Sequence, residues 1–278
     1  MAFMIIEIKD DFSLEKIVFS GQCFRAIKFE ENGYFFIQKS NSLIIRQISH
    51  TTFDVNVDTQ TWDSVWIPYF DLYRNYSMIR KGIPKEDEFM IKAANESSGI
   101  RILRQDPWEM VISFIISQRK SIPSIKNSIT LISEKWGTPL NTDLGIIYSF
   151  PTPEQMANAT EDELKDCKVG YRATYILAAI NAVLNKNIDL NALYLQSYSD
   201  IVNSLMEIKG IGIKVANCIA LFSYGQFSAV PVDTWINKII IEKYHGKSPF
   251  TGYGNTAGLM QQYAFYYAIN HKEEFTNV

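Results

Sequence analysis

A lysine and an aspartate lie close together in the sequence, in a pattern that could supply a nucleophile and a fixed negative charge. Lys214 follows the turn Gly210-Ile-Gly212 and falls in the first turn of a predicted helix. The start of a helix carries partial positive charge and unpaired N–H groups, so a cation is disfavoured there. Lys214 therefore either points out to a phosphate or reacts as a neutral amine. Asp233 comes 19 residues later, after Val-Pro-Val, and precedes an apolar helical repeat that it is expected to cap.

The segment around the lysine predicts two helices joined by a tight turn. In "SYSDIVNSLMEIKGIGIKVANCIALFSY", Gly210 and Gly212 let the backbone turn sharply and approach a partner closely. The N–H groups after Gly212 then face outward at a helix start, which is an anion site. The pattern favours a helix-hairpin-helix that holds DNA phosphates through its backbone. The turn by itself fits an ordinary corner between two helices equally well.

Composition limits the classes of protein that the chain can belong to. Its 278 residues are 47% hydrophobic and 21% charged, as expected of a soluble globular protein. The net charge of −3 argues against coating nucleic acid by bulk attraction, although a local basic patch stays open. No apolar run is long enough to span a bilayer, and "MAFMIIEIKDDF" lacks the features of a signal peptide, so we expect a cytoplasmic protein. Cys23, Cys167 and Cys218 lie too far apart in sequence for a disulfide framework or a metal cluster.

Two kinds of pattern follow each other along the chain. Up to about Val57, segments such as "GYFFIQ" and "SLIIRQI" predict strands, with a hairpin turn at Asn32-Gly33. From about Trp62 the apolar spacing is helical, with Pro107 at one helix start and capping boxes at Thr152 and Thr160. We therefore predict an α+β fold with a small antiparallel sheet domain over residues 1–100. A mainly helical region over 101–278 follows, and its terminal helix packs back towards the N-terminal domain.

The sequence resembles the helix-hairpin-helix (HhH-GPD) superfamily of base-excision DNA glycosylases over nearly its whole length. Within that superfamily it is most similar to the 8-oxoguanine DNA glycosylases, through "SGQCFR", "ILRQDPWE", "GYRATYI" and "AGLMQQYAF" in the same order, together with the hairpin and Val-Pro-Val-Asp. The resemblance implies a glycosylase/AP lyase that removes 8-oxoguanine from duplex DNA. It also implies a monomer that, in a bacterium, would be associated with the nucleoid. Lys214 would be its nucleophile, and Asp233 would stabilise positive charge on the sugar.

The resemblance also assigns a pocket for a base flipped out of the duplex. Gly21 would offer its carbonyl to the N7 proton that 8-oxoguanine has and guanine lacks. Phe265 and Cys218 would cover the two faces of the base, and Gln261 would read its Watson–Crick edge. Without the family, Gly21 is more simply a turn glycine, and Phe265 and Cys218 are more simply core residues.

A further set of residues is expected to contact the DNA. Tyr171 would wedge into the stack, and Arg172 would donate to the orphaned cytosine. The complete set comprises Arg119, Lys120, Tyr171, Arg172, Gly210, Gly212 and Trp235. The chain departs from the family pattern at several of these contacts. Arg119, Lys120 and Ser121 replace an Asn-Asn-Asn run, Trp235 replaces a histidine, and Ala268 replaces an acidic residue.

No metal or organic cofactor is expected, apart from a structural monovalent cation that the resemblance implies on the carbonyls of Ile208 and Ile211. Two other functions stay open. One is a glycosylase for alkylated or other oxidised bases on the same scaffold, against which Gly21, Gln261 and Phe265 argue. The other is a non-catalytic DNA-binding protein, against which the presence of both Lys214 and Asp233 argues.

Overall fold

A computed structural model describes residues 3–275 of the chain. Its first part is a five-stranded antiparallel sheet, as the strand pattern predicts. The strand order is β1-β5-β4-β3-β2, and the strands are β1 (Met4–Glu7), β2 (Ile27–Lys28), β3 (Gly33–Gln38), β4 (Asn41–Gln47) and β5 (Thr52–Val55). Residues 29–32 join β2 to β3, so Asn32 ends the turn and Gly33 is already the first residue of β3, while Lys39, with a left-handed φ of 55°, lies in the turn between β3 and β4.

The rest of the chain is mainly helical, which confirms the predicted α+β class. The helices are α1 (Leu14–Phe19), α2 (Thr59–Thr61), α3 (Ile67–Tyr69), α4 (Tyr76–Lys81), α5 (Glu88–Glu96), α6 (Pro107–Ser117), α7 (Ile122–Trp136), α8 (Glu161–Asp166), α9 (Ala173–Leu184), α10 (Tyr198–Met206), α11 (Ile213–Phe222), α12 (Thr234–Tyr244) and α13 (Ala257–Asn270). Pro107 is the first residue of α6, and Thr160 forms the predicted capping box of α8. No helix within residues 3–275 is both long and apolar enough to cross a membrane.

Two local features differ from the sequence prediction. The capping box at Thr152 forms, since Thr152 and Gln155 exchange hydrogen bonds of 2.8 and 3.3 Å, but only turns follow it and no helix. A hairpin of β6 (Pro139–Thr142) and β7 (Gly145–Tyr148) also interrupts the helical part. Its strands are only four residues long, so their alternation is too short to recognise in the sequence.

The molecule has two main hydrophobic cores, one beneath the sheet and a larger one among the helices. Helices α4 and α5 contribute Tyr76, Met90 and Ala93 to the larger core, and α13 packs on α5. Arg101, in the segment between α5 and α6, is fully buried. Its guanidinium donates to the carbonyls of Phe70, Asp11, Asp71 and Arg74 and to the Asp10 carboxylate. A buried arginine with this many acceptors fixes the loops around it. The division near residue 100 stays a prediction.

Candidate active site

The hairpin between α10 and α11 has the predicted form, with different demands at its two glycines. Gly210 has a left-handed φ of 95°, and a Cβ there would lie 2.3 Å from the ring of Tyr175 on α9. Its carbonyl accepts a hydrogen bond of 3.0 Å from the Gln118 side chain at the end of α6. Gly212 caps α11 with an ordinary φ of −93°, and nothing lies within 4 Å of where its Cβ would be. Only Gly210 is required by the fold, whereas Gly212 leaves open space over the start of the helix.

Lys214 is the second residue of α11, as predicted. It is half-buried, and its Nζ lies 5.7 Å from the ring centre of Phe114 on α6. The helix start directs this side chain inward across an aromatic face, into a cavity that Asp233 also lines. The fold therefore brings together the two residues that the sequence singled out.

Asp233 caps α12, and its carboxylate accepts a 2.9 Å hydrogen bond from the Ile236 N–H. Burial raises the pKa of this carboxyl above its ordinary value of 3.8, while the N–H groups at the helix start and the nearby Lys214 oppose the rise. Both opposing contributions stabilise the ionised form of the carboxyl. The carboxylate is thus partly desolvated and faces a lysine.

The residues predicted to recognise a base line the same cavity. Its volume is about 50 Å³. The wall consists of Ser20, Gly21, Phe114, Lys214, Cys218, Phe222, Pro231, Asp233, Gln261, Gln262 and Phe265. By the same measure one water needs about 10–15 Å³, so the cavity has room for a few waters and not for a bicyclic purine. It is narrow because Phe265 lies against Gly21, where a Cβ would come within 3.0 Å of the ring.

Gln261 presents an unpaired polar atom in the cavity wall. The residue is 4% exposed, and its Oε1 has no hydrogen-bond partner within residues 3–275. Buried polar atoms nearly always have a partner, so this oxygen is available to a donor group that enters the cavity. Cys218 is also buried there, and burial raises the pKa of its thiol, which keeps it neutral.

Two glutamines that the sequence analysis did not identify hold the Gly21 loop in place. Gln262 donates 2.5 Å to the Ser20 carbonyl from α13. Gln22 is fully buried and bonds the Ser20 hydroxyl, the Arg101 carbonyl and the Leu103 N–H, each at 2.8 Å. The pair Gln261-Gln262 could have indicated the contact of Gln262 with Ser20. Successive residues on a helix face different directions, so one glutamine can line the cavity while the next bonds a neighbouring loop. Gln22 carried no such signal, because two of its three partners lie about 80 residues away in sequence.

The predicted DNA contacts divide into exposed and internal residues. Tyr171 is 55% exposed, and Arg119 is exposed with a left-handed φ of 50°. Arg172 is instead only 7% exposed, so most of its side chain lies inside the fold. Its guanidinium donates to the carbonyls of Val169 and Gln118 and lies 4.5 Å from the Tyr171 ring centre. Lys120 is half-buried and also donates to a carbonyl.

Trp235 is half-buried on α12, and its ring packs edge-on against Phe275 at 6.2 Å. This contact gives it a packing role that the sequence did not indicate. All three cysteines are free and buried.

Two sequence families together match most of the chain. Residues 4–111 match the family described as "8-oxoguanine DNA glycosylase, N-terminal domain". Residues 112–250 match the family described as "HhH-GPD superfamily base excision DNA repair protein".

Curated relatives carry related names. The N-glycosylase/DNA lyase of Saccharomyces cerevisiae is 34% identical over 195 residues, covering 66% of this chain and 47% of the yeast protein. The Arabidopsis thaliana N-glycosylase/DNA lyase OGG1 is 32% identical over 206 residues, covering 65% of this chain and 55% of the plant protein. The chain thus matches about half the length of these two relatives.

A solved structure matches over nearly the full length of both chains. It is the Clostridium acetobutylicum 8-oxoguanine glycosylase/lyase in complex with double-stranded DNA containing cytosine opposite to 8-oxoG. The TM-score is 0.90 at 35% identity, and the match covers 98% of this chain and 100% of the Clostridium chain.

Proposed function

The chain belongs to the HhH-GPD superfamily of base excision DNA repair proteins, and from this premise we propose that it is a bifunctional DNA glycosylase/AP lyase acting on 8-oxoguanine in duplex DNA. One observation carries the proposal. Lys214 and Asp233 line the same cavity as Gly21, Gln261 and Phe265, so a nucleophile, a charge and a base-recognition surface meet in one place. The matched relatives support the same reading, because their names state a glycosylase and a lyase activity.

The proposed reaction starts with the neutral amine of Lys214. Its nitrogen lone pair forms a bond to C1′ of the deoxyribose, while the bond from C1′ to the base breaks. The base leaves with the electron pair of that bond and takes up the proton that the newly bonded nitrogen loses. Asp233 stays ionised and stabilises the positive charge that develops on the sugar. After ring opening, the amine and C1′ form a Schiff base. Loss of a proton from C2′ then expels the 3′ phosphate by β-elimination, and water releases the lysine.

Base selection follows from the wall of the cavity. The Gly21 carbonyl accepts a hydrogen bond from the protonated N7 of 8-oxoguanine. In guanine N7 is itself an acceptor, so it would face the carbonyl without a hydrogen bond. Such a mismatch costs about 1–3 kcal/mol. The unpaired Gln261 Oε1 accepts from the Watson–Crick edge. Because the cavity is smaller than a purine, Phe265 must move off Gly21 before the base can stack on its ring.

A monovalent cation at the hairpin belongs to the proposal as a structural element only. The Ile208 carbonyl already accepts a 3.0 Å hydrogen bond from the Ile211 N–H. A carbonyl oxygen has two lone pairs, so this one keeps capacity for a cation. The carbonyls of Ile208 and Ile211 would hold the ion and so stiffen the turn before Lys214.

Trapping of the Schiff base tests the mechanism. Borohydride added during the reaction is expected to link the protein covalently to 8-oxoguanine DNA. Lys214→Gln should abolish the adduct and still bind the DNA. Lys209→Gln is the matched control, because Lys209 is an exposed lysine in the same hairpin. Adduct formation by the Lys214 variant at the normal rate would exclude Lys214 as the nucleophile.

A panel of duplexes with one lesion each tests the substrate. We expect release of 8-oxoguanine and much slower release of 3-methyladenine and 7-methylguanine. The opposite order would assign the chain to alkylated bases and leave the roles of Lys214 and Asp233 unchanged.

A further inference from the structure

Four cationic side chains lie on two short segments that face each other near the hairpin. Arg119 and Lys120 belong to the loop 118–121 between α6 and α7, and Lys168 and Arg172 belong to the turn 168–172 between α8 and α9. Gln118 connects this cation cluster to the hairpin, because its side chain donates to the Gly210 carbonyl.

Two of the four cations link the segments internally. Lys120 donates 2.5 Å to the Lys168 carbonyl and 2.6 Å to the Ser128 hydroxyl. Arg172 donates in the other direction, to the Gln118 carbonyl, and also to the Val169 carbonyl at 3.2 Å. Each segment thus donates a cationic hydrogen bond to a carbonyl of the other. Bonds to charged donors are about twice as strong as neutral ones, so the two segments are held firmly together.

The other two cations point away from the protein. Arg119 and Lys168 are both exposed, and neither side chain makes a hydrogen bond or ion pair to any residue between 3 and 275. Both have a left-handed backbone, with φ of 50° and 60°, which is uncommon for such residues. Burial and the neighbouring charges of Arg172 and Lys168 lower the pKa of Lys120, as expected of cations crowded together. Such crowding costs energy unless an anion lies nearby.

We propose that Arg119 and Lys168 each bind a backbone phosphate of the DNA, whereas Lys120 and Arg172 are positioning residues that contact no phosphate. The inference rests on the proposed function for the identity of the anion. It differs from the sequence prediction at three residues, since it adds Lys168 and takes Lys120 and Arg172 out of the phosphate contacts. Although the protein is acidic overall, Arg119 and Lys168 form a local phosphate-binding site beside the hairpin.

The salt dependence of binding to undamaged duplex measures phosphate contacts directly. Each contact adds about 0.9 to the slope of log affinity against log salt concentration. Arg119→Asn and Lys168→Asn should each lower the magnitude of the slope by about 0.9, and the double variant by about twice that amount. Asparagine suits the test because it tolerates a left-handed backbone. Lys186→Asn is the matched control, because Lys186 is an exposed lysine with φ of 59° at the far end of α9.

The internal pair should behave differently. Lys120→Met and Arg172→Met are expected to leave the slope unchanged and to lower the melting temperature. If either variant fails to fold, the double variant of the two exposed residues still decides. An unchanged slope in that double variant, or a drop of about 0.9 in Arg172→Met alone, would overturn the inference. Failure of the proposed function would show separately, as DNA binding without a borohydride adduct.

Discussion

The Asp233 carboxylate serves two purposes, and a single substitution separates them. It caps α12 through the Ile236 N–H, and it faces Lys214 across the cavity. Asparagine caps a helix as well as aspartate does but carries no charge. The substitution Asp233→Asn therefore keeps the helix cap and removes only the charge.

Asp233→Asn should leave the melting temperature nearly unchanged and slow base excision by about 10²–10³-fold, because a charge aimed at the transition state is lost. Single-turnover excision of 8-oxoguanine, together with thermal unfolding, measures both effects. Asp58→Asn is the control, because Asp58 caps α2 through the Thr61 N–H at an exposed site. Near-normal excision by Asp233→Asn would reduce this residue to a helix cap.

Gly21→Ala should reduce excision of 8-oxoguanine about ten- to a hundredfold, the cost of one mismatched buried hydrogen bond. Gly21 has φ of 78°, and the added Cβ would come within 3.0 Å of Phe265. Cleavage of a preformed abasic site needs no base contact and should change less. Gly145→Ala has a similar φ of 97° and open space around its Cβ, so it should leave excision intact. Equal losses on both substrates would show that Gly21 supports the fold and not base selection.

At the scale of elements, the hairpin makes opposite demands on its two glycines. Gly210 lets α9 approach through Tyr175, while Gly212 keeps the start of α11 uncovered. Gly210 faces the protein, and Gly212 faces the surface where the sequence predicts an anion site.

Gly210→Ala should lower the melting temperature by about 3–10 °C, because overpacking costs about 1–3 kcal/mol and the backbone is left-handed. Gly212→Ala should melt normally and bind duplex DNA more weakly, since its Cβ would occupy the open space over the N–H groups. Thermal unfolding and a DNA titration of both variants measure the contrast. A large loss of stability in Gly212→Ala would mean that this position, too, is packed.

The elements also show how far the sequence predicts this molecule. Long periodic segments, the hairpin near Asn32 and the cap at Asp233 depend on neighbouring residues, and all three form, although Gly33 belongs to β3 and not to the turn. The inward direction of Arg172 could not be predicted, because its acceptor on Gln118 lies 54 residues away. The same limit applies to Gln22 and to the packing of Trp235 on Phe275. A side chain whose partner is distant in sequence leaves no local pattern.

At the scale of the whole molecule, a clasp connects the end of α13 to α5. His271 hydrogen-bonds Glu96, stacks on Tyr267 at 4.4 Å, and lies beside Glu274, which pairs with Lys92 at 2.9 Å. The hydrogen bond to Glu96 raises the pKa of His271 above its ordinary value of 6.5. Because α13 also carries Gln261 and Phe265, this clasp holds one wall of the cavity.

The stability from His271 should depend on pH. Its pKa is higher in the folded protein than in the unfolded chain, so the contribution is fully present below pH 6.5 and is lost as pH rises through the raised pKa. Such partly exposed pairs contribute about 0–1 kcal/mol, or a melting shift of about 2–4 °C at most. The melting temperatures of the parent and of His271→Gln should differ at about pH 5.5 and converge at about pH 9. Glu96→Gln should remove the same pH dependence, and a difference that grows with pH would contradict the assignment.

The cavity joins the two ends of the chain, since Gln262 bonds Ser20 across 242 positions. During synthesis on a ribosome, the Gly21 loop and the hairpin with Lys214 therefore emerge well before α13. In that interval the nascent chain has its proposed nucleophile and phosphate-binding turn, but it lacks Gln261 and Phe265, the residues proposed to distinguish one base from another. On the proposed function, base discrimination therefore depends on the docking of the last helix of the chain to be synthesised.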